Sequence, residues 1–240
     1  MQAVLVASKL SKEYSGVQAL AGLELQVAPG EVLCLLGPNG AGKTTTLNLF
    51  LGLLRPTSGA AYVKGVHVEA DPAAARRHLA YVPEQVRLYP HLTGLENLGY
   101  FLSLSLPESP APQHLLELLA EAGLPAEAAH RRVGGYSKGM RQKVVIALAL
   151  ARGTEALLLD EPTSGLDPSS IRELGGLIQR LSARGSAVLM VTHDLAIVRS
   201  VAHRVGVMKA GHLVELAEAS SLGDAALERL YWKHFEVARS

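Results

Sequence analysis

A chain of 240 residues is long enough for one α/β domain with a large buried core. Its 23 Lys plus Arg against 22 Asp plus Glu give a formal charge of +1, which speaks against nucleic acid as a main partner and against a charged tail. A single cysteine, Cys34, excludes an internal disulfide and, inside the apolar run EVLCLL, reads as a buried thiol rather than a nucleophile.

In chain order, the runs AVLVASKL (3–10) and ALAGLELQVAPGEVLCLLG (19–37) read as strands, with a turn at Pro29-Gly30 inside the second. A helix beginning near Lys43 carries Leu47, Phe50, Leu51 and Leu54 at i, i+3, i+4, i+7 spacing. AAYVKG (60–65) and HLAYVPE (78–84) read as strands around a helix that starts near Pro72. From about Leu92 to Arg152 the pattern is nearly all helical, punctuated by Pro107, Pro110, Pro112 and Pro125, as expected of an inserted helical subdomain. Strand EALLLDE (155–161) follows, then a helix from Pro168 with Ile171, Leu174, Ile178 and Leu181 on one face. Strand AVLMVTH (187–193), a short helix, strands RVGVMKA (204–210) and HLVEL (212–216), and a terminal helix complete the order. In that last helix Leu227, Leu230, Tyr231 and Phe235 share one face. Strands alternating with helices, and strands that are continuously apolar, predict a mostly parallel sheet covered on both faces. The apolar runs are each far short of the roughly 20 residues of a membrane helix, and the opening stretch has no signal-peptide pattern.

The first chemistry lies at GPNGAGKTT (37–45), between a buried-looking strand and a helix, which fits the G-x-x-x-x-G-K-[ST] phosphate loop in the context that motif requires. Gly37, Gly40 and Gly42, with Pro38, Asn39 and Ala41 between them, let the backbone turn its N–H groups toward phosphates. Lys43 reaches the β and γ phosphates, the Thr44 hydroxyl is placed to hold Mg²⁺, and Thr45 closes the motif. Further on, ALLLDEPTSGLD sets two acids at the end of an apolar strand. Asp160 reads as a Mg²⁺ residue and Glu161 as the group that orients an attacking water. Ser137, ahead of the apolar helical run KVVIALALA, has two readings: a helix N-cap, or with Gly139 part of an anion site at a helix N-terminus.

GPNGAGKTT, YSKGM, LLLDEPTSGLD and VTHD, in this order, resemble the Walker A, signature, Walker B with D-loop, and switch-histidine motifs of ABC transporter ATP-binding subunits. The resemblance covers roughly residues 3–216. It implies a P-loop NTPase core with a mostly parallel sheet, an antiparallel β subdomain at about 1–30 and 60–70, a helical subdomain at about 86–152 and a C-terminal helical tail at about 217–240. ATP and Mg²⁺ are the implied ligands. A second ATP-binding subunit, in a homodimer or heterodimer, and transmembrane permease subunits in a separate chain are the implied partners, at the cytoplasmic face of the inner membrane. Ser137 and the Gly139 N–H would then meet the γ-phosphate held by the other subunit, and Asp167 would act across the dimer interface besides capping the helix at Pro168. Tyr14 in KEYSG would stack on adenine, and His193 would contact the γ-phosphate and hold Glu161 and its water.

The sequence departs from the family pattern at Tyr136, Lys138 and Met140, where the commonest signature has Leu, Gly and Gln, and at Glu84, where a Gln usually contacts Mg²⁺ and the membrane partner. Glu84 and Gln85 both stand as candidates for that role. YVPE followed by LYPHLTGLENL resembles the branch serving ABC-2-type exporters, and YSKGMRQ is similar to the signature of subunits serving copper-site maturation of nitrous oxide reductase. A soluble ABC-type ATPase of translation or repair and a module that closes on ATP without hydrolysing it are the rival readings. The first usually has a second ATPase domain or coiled coils, and the second does not need Glu161 and His193.

Overall fold

A computed structural model describes residues 2–106, 108 and 110–235. Its centre is a six-stranded sheet built on three short apolar runs of the chain: β3 (Val32–Leu36), β7 (Ala156–Asp160) and β8 (Ala187–Thr192), in which every residue is buried. A four-stranded antiparallel sheet contains β1 (Leu5–Tyr14), β2 (Val17–Val27), β4 (Ser58–Val63) and β5 (Val66–His67) in the order β2-β1-β4-β5. The six-stranded sheet adds β6 (Leu79–Val82), β9 (Arg204–Lys209) and β10 (His212–Glu218) and runs β10-β9-β3-β8-β7-β6. All its neighbours pair in parallel except β10 with β9.

The period-2 rule of a strand sends alternate side chains to opposite faces, and here the two faces have separate cores. Cys34, Leu36, Leu157, Leu159, Val188 and Met190 pack into one, while Leu33, Leu35, Leu158, Leu189 and Val191 pack into the other. The first core is covered by α3 (Gly94–Ser103), α4 (Pro112–Glu121), α5 (Ala126–Ala129), α6 (Lys138–Arg152), α7 (Pro168–Ala183), α8 (Leu195–Val201) and α9 (Asp224–Phe235). The second is covered by α1 (Lys43–Phe50), α2 (Pro72–Arg77) and the small sheet. Cys34 is fully buried, and desolvation pushes its thiol far above the ordinary range, as expected of an inert core residue.

Three expectations are refined. The helical stretch 92–152 is divided: Thr93 and Glu96 form a capping box that starts α3 afresh, Pro112 opens α4, Pro125 caps α5, and a 3-10 turn at Val133–Gly135 precedes α6. Pro107 lies outside the described residues. The first two strands run on beyond their apolar cores to meet at Ser15-Gly16, both at positive φ (48° and 83°) between the paired Tyr14 and Val17, the geometry of a two-residue hairpin turn. Residues 217 and 218, expected in a helical tail, instead end β10, and the last helix begins at Asp224. Its Leu227 and Leu230 are buried, whereas residues 236–240 of that expected tail lie outside the described residues.

Candidate nucleotide site

Because β3, β6, β7 and β8 are parallel, their C-terminal ends lie on one edge of the sheet, and each delivers part of the site there. Gly37 to Gly42 leave β3 and lead into α1, whose N-terminus has no capping side chain and no acidic residue in its first turn. Gly42 is its N-cap at φ 102°, and a Cβ there would stand 2.6 Å from the Ala19 carbonyl oxygen, so only glycine fits. Pro38, Asn39, Gly40 and Thr44 are exposed, Thr45 is half-buried, and Ala41 is buried. Lys43, 6% exposed, folds back under the loop, donating to the carbonyls of Gly37 at 2.6 Å and Pro38 at 3.1 Å. Burial lowers its pKa, against the opposing pull of Glu161 and Asp160.

Asp160 ends β7, 7% exposed, and accepts hydrogen bonds from the Thr44 hydroxyl at 3.3 Å and the Tyr81 hydroxyl at 3.2 Å. Burial raises its pKa, the two hydroxyls work in the other direction, and the charges of Glu161 and Glu84 add to the rise. The folded chain then binds more protons than the unfolded one between the unfolded and the raised folded pKa, and stability falls as pH rises through that window. Asp160→Asn is therefore expected to raise the melting temperature of the ligand-free chain by about 2 °C or more at neutral pH. An unchanged or lower value by calorimetry would contradict the stated cause.

Glu161 follows with φ 43°, a left-handed conformation that is strained by about 1–3 kcal/mol for a residue with a Cβ and is concentrated at functional sites. Its carboxylate, 13% exposed, stands 3.7 Å from Lys43 Nζ through Oε1 and 2.9 Å from His193 Nδ1 through Oε2, and Oε2 also accepts from the His193 N–H at 3.3 Å. His193, just past the end of β8, is 61% exposed on its other side. Thus Lys43, Thr44, Asp160, Glu161 and His193, separated by up to 150 positions, form one contiguous polar group.

The remaining candidates lie around this group. Tyr14 is 43% exposed at the tip of the β1–β2 hairpin, with Lys12 Nζ 5.1 Å from its ring centroid. Ser137 is the N-cap of α6, its hydroxyl oxygen accepting from the Met140 N–H at 3.2 Å, and Gly139 faces Leu166 and Ser170. Asp167 caps α7, accepting from the N–H groups of Ser169 and Ser170 and from both hydroxyls, which hold its carboxyl well below the usual range. Glu84 and Gln85 are both exposed, and Glu84 Oε1 accepts from the Ser164 hydroxyl at 3.2 Å. Sequence reasoning missed Tyr81, which steadies Asp160, and the pair Lys138 and Gln142, which donate to the carbonyls of Ser164 (2.5 Å) and Pro162 (2.8 Å). These contacts span 20 to 79 positions, and the sequence signals were a polar group on a mostly apolar element for Tyr81 and Gln142 and a departure from the signature pattern for Lys138.

The family model described as ABC transporter matches residues 20–164. The fluoroquinolones export ATP-binding protein MT2762 of Mycobacterium tuberculosis is 41% identical over 212 residues, 88% of this chain and 69% of that protein. The L-cystine transport system ATP-binding protein TcyN of Escherichia coli is 35% identical over 89% of both chains. Among solved structures, the dimeric post-hydrolysis state of the ATP-binding cassette MJ0796, bound to ADP and Pi, superposes with a TM-score of 0.81 at 28% identity, covering 90% of this chain and 98% of that one. The chain belongs to the ABC transporter family and has the α/β fold of its ATP-binding cassettes. No helix among the described residues is long and apolar enough to cross a membrane.

Proposed function

We propose that the chain binds ATP with Mg²⁺ at the loop 37–45, closes on a second ATP-binding subunit, and hydrolyses the nucleotide to drive a transmembrane partner in a separate chain, as an exporter subunit. The observation that carries this is the carboxylate of Glu161, held between Lys43 and His193 beside the phosphate loop. Glu161 orients the attacking water and accepts its proton, and His193 fixes the carboxylate and reaches the γ-phosphate. Arriving phosphate oxygens replace the loop carbonyls as acceptors for Lys43, and the free N–H groups opening α1 bind the same charge. Thr44 and Asp160, two oxygen donors already side by side, suit a hard cation, and either Glu84 or Gln85 completes that side of the site. Mg²⁺, when bound, neutralises charge on the phosphates.

Tyr14 offers its ring to adenine. Ser137 and the Gly139 N–H serve the nucleotide of the other subunit, a role compatible with capping, since the cap uses the Ser137 oxygen and leaves its proton to donate. Asp167 acts at the same interface. The proposed division is a β subdomain at about 1–30 and 60–70 and a helical subdomain at about 86–152. Between that helical region and the core lies a groove of 580 Å³, lined by Arg76, Arg77, Tyr81, Leu104, Val145 and Arg152, which suits a cytoplasmic segment of the membrane partner. The export reading is supported by the Mycobacterium relative's name. Tagged Glu161→Gln protein with ATP, incubated with detergent-solubilised membranes of the native host, should retain a multi-spanning protein in stoichiometric amount. Retention of soluble proteins or ribosomes alone would contradict the transport reading.

A further inference from the structure

Two oppositely charged side chains from distant segments meet on one residue of the loop that follows Glu161. Lys138, the first residue of α6, donates its ammonium to the Ser164 carbonyl at 2.5 Å, and the Ser164 hydroxyl donates to Glu84 Oε1 at 3.2 Å. One helical turn along α6, the buried Gln142 amide donates to the Pro162 carbonyl at 2.8 Å. Loop 161–167 is thus gripped at two carbonyls from α6, and at the Ser164 hydroxyl from the segment after β6. Inside the loop the Ser164 N–H donates to the Glu161 carbonyl at 3.2 Å and the Leu166 N–H to the Thr163 carbonyl at 3.0 Å, so Ser164 cannot shift without moving the Glu161 peptide. Glu161 itself is the residue at φ 43°, a conformation that persists only where its surroundings over-determine it.

We propose that Lys138 and Glu84 are positioning residues for Glu161: acting together through Ser164, they hold loop 161–167 so that the carboxylate stays between Lys43 and His193. The inference rests on the hydrolytic reading of Glu161 above. Lys138→Met removes the donor and keeps most of the stem, and Glu84→Leu removes the acceptor at the other end. The Lys138 loss touches the loop, not the phosphate contacts of Lys43, so its effect falls on turnover rather than on nucleotide affinity; Glu84, also a candidate for the cation side of the site, is read by loop exchange without nucleotide.

The test uses the full chain and two readouts: hydrogen–deuterium exchange of the peptide spanning 161–167 without nucleotide, and kcat with KM for ATP. Lys138→Met and Glu84→Leu should each speed exchange in that peptide, and Lys138→Met should lower kcat about tenfold with KM within about twofold. Lys138→Arg and Glu84→Gln, which keep a donor and an acceptor, should restore slow exchange, and Lys138→Arg should restore kcat as well. Unchanged exchange and kcat in Lys138→Met would overturn the proposal, as would exchange that rises equally across β7 and β8, the mark of a general stability role. Absence of hydrolysis in the unaltered chain would defeat the hydrolytic reading, while the exchange measurement would still decide whether the clamp exists.

Discussion

Replacing Glu161 by Gln is expected to lower steady-state phosphate release by about 10²- to 10⁴-fold, the contribution of a well-placed general base. The side chain keeps its shape, and an amide oxygen can still accept from the His193 N–H, so the fold and the polar group around the phosphate loop should survive. What disappears is the ability to take a proton from water. ATP affinity should stay within a few fold, because the residue proposed to meet the phosphates is Lys43, and removing the negative charge 3.7 Å from Lys43 leaves that ammonium freer to bind them. With binding intact and hydrolysis blocked, pairs of subunits should accumulate in ATP and be visible by size-exclusion chromatography. Turnover at the level of the unaltered chain would remove Glu161 from the role of base.

Lys43→Ala is expected to weaken ATP binding by about 10²-fold, measured by calorimetric titration, and to abolish turnover at submillimolar ATP. A charge-assisted hydrogen bond to a phosphate is worth roughly 1.5–3 kcal/mol, and tenfold in affinity corresponds to about 1.4 kcal/mol. The change removes a buried cation as well as a donor. The carbonyls of Gly37 and Pro38 lose the partner that draws the loop together, and Glu161 loses its ammonium partner. The two variants therefore separate the site's functions: one loses chemistry and keeps binding, the other loses binding first. Unchanged ATP affinity in Lys43→Ala would contradict the phosphate-loop assignment itself.

Much of this was legible in the sequence because the information is local. A five-residue apolar run that ends in a glycine-rich loop or in two acids announces a buried parallel strand and its functional end, and β3 and β7 lie where those runs stand. The central order of strands and helices followed from the same alternation. Other features depend on partners far away in the chain. The residues SKEYSGVQ carry β1 and β2 to their hairpin, but half of that ribbon faces solvent, so its apolar alternation is weak at Tyr14 and Val17. Of the breaks in 92–152, those at Pro112 and Pro125 stand at prolines, whereas the capping box of α3 and the contact of buried Tyr136, its hydroxyl donating to the Ala128 carbonyl, are not encoded in helical periodicity. The support around the acids was least legible of all. Tyr81 reads as a strand residue, Lys138 as a departure from a motif, and Ser164 as a turn residue, until the fold brings them to Asp160 and to the loop after Glu161.

The reading turns on Glu161 working in a site that two subunits complete. The most direct test is phosphate release per chain as a function of protein concentration, with saturating ATP and Mg²⁺, for the unaltered chain beside Glu161→Gln. The rate per chain should rise with concentration and then level off as pairs form, with Glu161→Gln near zero throughout. A rate per chain that is flat across the range, or equal in the two proteins, would contradict the account.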